Sequence, residues 1–148
     1  MEFRNARTED VNLIAELEKE NFISPWTYDQ FVYEIEQNEF SKTLLIMDND
    51  ILVGYLNYWI IFDQATINKV CIKKEYRRQG LACKLMSLAL EDIIKNKCII
   101  VTLEVRVSNK NAINLYQKNK FKIVTKKVNY YSDGEDAFFM IRGGFIDE

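Results

Sequence analysis

One stretch limits the folds open to this chain more than any other. An apolar run, Val70-Cys71-Ile72, leads through Arg77-Arg78-Gln79-Gly80-Leu81-Ala82 into an amphipathic run from Leu81 to about Lys95. A strand, a glycine turn and a long helix in that order call for a sheet with the helix packed across it. Gly80 permits close backbone approach, and the first turn of a helix leaves its N–H donors unbonded. Those donors and the positive end of the helix dipole together make an anion site, with Arg77 and Arg78 adding charge at its rim. Pyrophosphate is the simplest ligand of that description.

The rest of the chain supplies the sheet. Glu2 to Arg7 reads as a strand, and Thr8 as the N-cap of a helix with Glu9 and Asp10 in its first turn. Val11, Leu13, Ile14 and Leu17 give that helix an apolar face as far as Phe22. After a break at Ile23-Ser24-Pro25-Trp26, Thr27 and Gln30 have capping-box spacing, and Tyr28, Phe31, Val32 and Ile35 make a second apolar face. Thr43 to Met47 and Ile51 to Ile60 form a hairpin about Asp48-Asn49-Asp50, and Gln64 to Ile72 is the next strand. From Cys98 to Arg106 the residues alternate, with Val101, Leu103 and Val105 on one side and Thr102, Glu104 and Arg106 on the other. Asn109 to Asn119 is a short helix carrying Ala112, Ile113 and Tyr116. Phe121 to Tyr131 and Ala137 to Ile141 are closing strands joined by Ser132-Asp133-Gly134-Glu135. The order β-α-α-β-β-β-α-β-α-β-β predicts an α+β fold with a mixed sheet, not an alternating doubly wound one.

Residues 1–148 show no repeat or linker and a single proline, Pro25, so one domain is expected. A net charge of −2 gives no reason to expect nucleic acid or a membrane surface as partner. The apolar region from Leu52 to Phe62 is too short to span a bilayer, and the N-terminus lacks the apolar stretch of a signal peptide. Cys71, Cys83 and Cys98 lie in apolar runs without metal spacing and read as small buried hydrophobes in a cytoplasmic protein. The chain has no histidine, so any proton transfer must use carboxylates, Tyr, Cys or Lys.

The Arg77-x-x-Gly80-x-Ala82 turn after the fourth strand resembles the pyrophosphate motif of the GNAT family of acetyltransferases. Three further stretches resemble its RimI branch: Phe22 to Thr27, Leu103 to Asn109, and Asn129-Tyr130-Tyr131 leading to Asp133-Gly134-Glu135-Asp136-Ala137. That branch acetylates the N-terminal alanine of ribosomal small-subunit protein eighteen. The resemblance covers the chain to Ile141. It implies a mostly antiparallel sheet with helices on both faces, acetyl-coenzyme A as co-substrate and no metal. It also implies a protein N-terminus as acceptor, and a monomer or weak dimer.

The resemblance assigns roles residue by residue. Glu104 matches the general base, acting directly or through a water, and Tyr116 in Leu115-Tyr116 matches the acid that protonates the leaving thiolate. The backbone of Val70, Cys71 and Ile72 would pair with the pantetheine arm. Arg77, Arg78, Gln79, Gly80, Leu81, Ala82 and Cys83 would carry the phosphates, and Asn109 would touch the cofactor while capping its helix. Trp26, Tyr130 and Tyr131 would line the acceptor groove, with Asp133 and Glu135, and beyond them Glu20 and Asp136, favouring a basic peptide. Taken alone, the residues also admit plainer readings: Glu104 paired with Arg106 or a neighbouring strand, Tyr116 as a core aromatic, and Trp26, Tyr130 and Tyr131 as packing. A small-amine acceptor and a non-catalytic acetyl-coenzyme A binding module stay open beside the N-terminal one.

In one place the chain departs from the family. Relatives place a left-handed glycine before the phenylalanine that follows the Leu-Tyr helix, but here Asn119-Lys120 precede Phe121. Either Lys120 takes the left-handed conformation at a cost of roughly 1 kcal/mol, or the cap moves back to Asn119.

Overall fold

The computed structural model describes residues 1–143. Its strands are β1 (Glu2–Asn5), β2 (Ser41–Asp48), β3 (Ile51–Ile61), β4 (Gln64–Ile72), β5 (Ile100–Arg106), β6 (Lys122–Lys127) and β7 (Ala137–Gly143). The helices are α1 (Val11–Asn21), α2 (Tyr28–Val32, widened into a π-type turn at Tyr33–Gln37), α3 (Leu81–Lys95) and α4 (Lys110–Lys118). One sheet runs in the order β1-β2-β3-β4-β5-β7-β6. Among the described strands only β4 and β5 are parallel neighbours, because α3 carries the chain across the sheet between them.

Each face is buried by the helices whose apolar periodicity matches it. Leu85, Met86, Ala89 and Ile93 of α3 and Tyr116 of α4 pack on Leu56, Val101 and Leu103. On the opposite face, Val11, Ile14 and Leu17 of α1 and Phe31 of α2 pack on Leu45, Tyr55 and Cys71. Helices therefore cover both faces of a mostly antiparallel sheet, as expected.

The feature that positions the site is the failure of β4 and β5 to stay together. They pair only from Gln64–Thr66 to Ile100–Thr102. Just beyond, Tyr58 of β3 faces Ile67 while Asn57 faces Lys69, so Asn68 is one residue too many and β4 bulges. Asn68 Nδ2 donates to Asn57 Oδ1 at 3.0 Å, and the fully buried Asn57 donates in turn to Ser41 and Thr43 hydroxyls. Past the bulge β4 stays with β3, whereas β5 follows β7 along its whole length. A cleft opens between them, and the β4 edge facing it pairs with no described strand.

Several boundaries differ from the sequence pattern. Thr8 does not cap α1; it opens a 3-10 turn, Thr8–Asp10, and its hydroxyl donates to Glu36. The Asp10 carboxylate takes up the Arg7 N–H at 2.7 Å, so the chain enters α1 through a tighter turn. Strand β6 ends at Lys127, not Tyr131, since Asn129 turns left-handed (φ 54°) and donates its N–H to Asp136. Tyr130 and Tyr131 therefore belong to a loop. Cys71 and Cys98 are buried, but Cys83 is only half-buried.

Candidate active site

The turn into α3 is shaped to hold an anion. Arg78 and Gly80 are both left-handed, with φ of 66° and 75°, and Gly80 is the N-cap of α3. The first helical hydrogen bond is Lys84 N–H to Gly80 O, and Arg77 N–H is taken by Lys74 O. Six successive N–H groups, from Arg78 to Cys83, thus donate to no described residue. A Cβ built on Gly80 would meet no protein atom within 4 Å, so the concavity above it is open. The Arg77 guanidinium does not reach over this concavity: it donates to Ile72 O at 2.9 Å and to the Asn21 side chain, tying the turn to β4 and α1. Asn109 caps α4, its Oδ1 accepting from Ala112 N–H at 3.2 Å.

Glu104 projects from β5 on the face opposite Leu103 and Val105, beside the cleft. Lys127 Nζ lies 3.5 Å from its Oε1, and the Tyr130 hydroxyl donates to the same oxygen at 3.4 Å. Tyr130 meets Tyr131 edge to face, with centroids 5.0 Å apart. Burial and the nearby Glu104 push the Tyr130 phenol up, and burial pushes that of Tyr131 up to about 12. Tyr131 stands close enough to Tyr116 to disfavour its ionisation, adding to the larger effect of burial. Contacts thus join Glu104 to Tyr130 and Tyr130 to Tyr131.

Tyr116 is placed by the end of its own helix. Lys120 is left-handed (φ 72°), Phe121 N–H returns to Tyr116 O and Lys120 N–H to Gln117 O, each at 3.0 Å. This is a Schellman cap, and its hydrophobic contact is the edge-to-face pair Tyr116–Phe121. Asn119 keeps a negative φ, so the cap does not move back to it. Tyr116 is buried, 7% exposed. Burial keeps its phenol protonated at neutral pH.

The opposite wall holds a buried ion pair. Glu18 is fully buried on α1 and accepts from Lys69 Nζ at 2.9 Å, from Trp26 N–H at 2.9 Å and from the Tyr55 hydroxyl. The Lys69 ammonium also lies over the rings of Phe22, at 4.3 Å, and Trp26, at 5.3 Å. Trp26 packs on Phe31 as well, so its ring has a core contact beside the Lys69 ammonium.

The assignment of Asp133 and Glu135 to a basic peptide is not what their contacts favour. Both are engaged by Arg106 within the chain, with Nη1–O distances of 2.9 Å, and Glu135 also accepts the Ser108 N–H. Asp136 takes the Asn129 N–H, and Glu20 lies exposed on α1. Glu18, Lys69, Arg106 and Lys127 escaped the sequence reading as site residues. For Glu18 a signal existed, since an acid one residue past Leu17 lies on the buried stripe of α1. Lys69 and Lys127 carry no such mark.

The acetyltransferase (GNAT) family model matches residues 11–121. A Bacillus subtilis (strain 168) protein that carries the provisional name ribosomal protein bS18-alanine N-acetyltransferase is 41% identical over 138 residues, 93% of this chain and 91% of its own length. An N-alpha-acetyltransferase of Saccharolobus solfataricus is 32% identical over 94% of this chain and 90% of its own. Among solved structures, the ribosomal-protein-S18-alanine N-acetyltransferase of Escherichia coli superposes with a TM-score of 0.86 at 28% identity. That match covers 96% of this chain and 92% of the other.

Proposed function

This chain belongs to the acetyltransferase (GNAT) family, and from that premise we propose that it transfers the acetyl group of acetyl-coenzyme A to the N-terminal alanine of ribosomal protein bS18, in the cytoplasm. One observation carries the reading: six N–H groups and a β4 edge, all without a partner among the described residues, lie on the β4 side of the cleft that β5, with Glu104, borders on the other. The donors of Arg78 to Cys83 suit a pyrophosphate, and the Val70–Ile72 edge suits an amide-bearing arm laid along it as an extra strand. Bound there, acetyl-coenzyme A supplies an activated thioester.

The residues of the chain do the rest. A free α-amine has a pKa of about 7.7–8.0, so at neutral pH most of it carries a proton and cannot attack. Glu104 removes that proton, directly or through one water. Tyr116, kept protonated by burial, donates to the departing thiolate sulfur. Trp26 on one wall and Tyr130 and Tyr131 on the other flank the entry of the acceptor. The names of two relatives, both alanine N-acetyltransferases of ribosomal protein S18 and one of them provisional, support the choice of substrate.

The test offers the protein acetyl-coenzyme A with peptides beginning Ala-Arg, Ser or Met, a peptide with only an internal Lys amine, and free polyamines. Mass spectrometry then locates the acetyl group. Acetyl on the α-amine of the Ala peptide is expected, with kcat lowered about 10²–10⁴-fold in Glu104→Gln. Labelling confined to internal Lys or to free amines rejects the substrate.

A further inference from the structure

The two carboxylates that the sequence offered to the substrate are both used by one side chain of the chain itself. Arg106 ends β5 on the cleft face, with its side chain 17% exposed. Its Nη1 contacts Asp133 Oδ2 at 2.9 Å, Asp133 Oδ1 at 3.1 Å and Glu135 Oε1 at 2.9 Å. The guanidinium also lies 4.0 Å from the centroid of the Tyr131 ring, the stacking geometry of a cation on an aromatic face. Apart from Arg106, the loop between β6 and β7 meets the end of β5 through Ser108 N–H to Glu135 Oε2 and Val107 N–H to Asp136 O, and closes on itself through Asn129 N–H to Asp136 Oδ1. Its own backbone bonds are Tyr131 N–H to Glu135 O and Gly134 N–H to Tyr131 O, and residues Ser132 to Gly134 are exposed. Without a cation between them, Asp133 and Glu135 would repel each other across this short turn.

We propose that Arg106 is a positioning residue that fixes the Val128–Asp136 loop to the end of β5, and so holds Tyr130 against Glu104 and Tyr131 beside Tyr116. It acts through those rings, not on the reacting atoms. A guanidinium suits the task, because its plane can lie flat on the Tyr131 ring while Nη1 bonds both carboxylates, whereas an ammonium is a compact point charge without that flat contact. Loosening the loop misplaces the groove wall while leaving the Arg78–Cys83 turn, which belongs to other elements, intact. The proposal therefore separates the two substrates. Its kinetic half rests on the reading of Glu104 and Tyr116 as base and acid; its structural half does not.

Three variants of the full chain test it: Arg106→Gln, Arg106→Lys and the pair Asp133→Asn with Glu135→Gln, which leaves Arg106 in place. Hydrogen exchange is followed at the amides of Tyr131 and Gly134, with steady-state kinetics for the alanine peptide and for acetyl-coenzyme A. In Arg106→Gln and in the double variant those amides should exchange faster. The kcat/KM for peptide should fall roughly 10–100-fold, while KM for acetyl-coenzyme A stays within about twofold. Arg106→Lys should lie between these and the wild type. Unchanged exchange overturns the proposal, and so does an equal loss against both substrates, which would mark a general defect in folding. If the wild type acetylates no peptide, the reading of function fails, and the exchange data alone decide whether Arg106 pins the loop.

Discussion

Lys120 takes one of the two conformations that the sequence left open, and it matters for its neighbour. Its left-handed φ completes the cap that brings Phe121 onto Tyr116, and a lysine there bears strain that glycine would not. Lys120→Gly should therefore raise the stability of the fold by about 1 kcal/mol, read from urea midpoints; a lower midpoint would contradict the strain. Glu18 illustrates the opposite case, invisible in its role until its partners are seen. Glu18→Ala leaves Lys69 in a largely buried site without its counter-ion, and should cost about 3 kcal/mol in the same measurement. It also frees the Trp26 N–H, so peptide KM should rise with it. A loss below about 1 kcal/mol would mean that Lys69 simply swings into water.

At the scale of elements, the strand–turn–helix unit was legible because each of its parts is local. Period and punctuation placed β4, Gly80 and α3 to within a residue or two, and the capping box at Thr27 formed as spaced, with both of its hydrogen bonds. The end of β6 was not legible. Val128 extends a β-like run, and the left-handed Asn129 with its N–H bonded to Asp136 turns the chain out of the sheet. Two glycines test how closely the elements fit. A Cβ on Gly54 of β3 would lie 2.6 Å from Ile72 Cδ1 and 2.7 Å from the Cys71 carbonyl oxygen. Gly54→Ala must push β4 aside, and should cost about 1–3 kcal/mol in thermal or urea unfolding. At Gly80 the space is open and only φ objects. Gly80→Ala should cost the fold about 1 kcal/mol while raising KM for acetyl-coenzyme A more than that for peptide. Equal KM changes for the two would move the anion site elsewhere.

For the whole molecule, the absence of histidine has a thermodynamic consequence: no side chain has an ordinary pKa between 5 and 8, so stability should be flat across that range. The acid limb comes from groups such as Asp10, which the Arg4 guanidinium holds below its unfolded value of about 3.9. A depressed carboxyl stabilises the fold at pH above the unfolded pKa, and that contribution is lost as pH falls through the folded one. The alkaline limb has the opposite origin. Burial pushes the Cys71 thiol up to about 12, so above about 8.5 the unfolded chain releases a proton that the folded chain keeps, and stability declines as pH rises. Urea midpoints from pH 3 to 10 should trace this plateau, and Cys71→Ala should soften its alkaline edge; a midpoint that drifts between pH 5 and 8 would refute it. The sequence by itself determined whatever depends on neighbours along the chain: the element order, the faces that are buried, the glycine turn into α3, the lack of imidazole chemistry. Tertiary structure alone decided where β4 and β5 part. That depends on the extra residue Asn68 meeting Asn57 of a different strand. It also decided which charges are already spent, since Arg106 finds Asp133 and Glu135, and Lys69 finds Glu18, across gaps that no local pattern encodes.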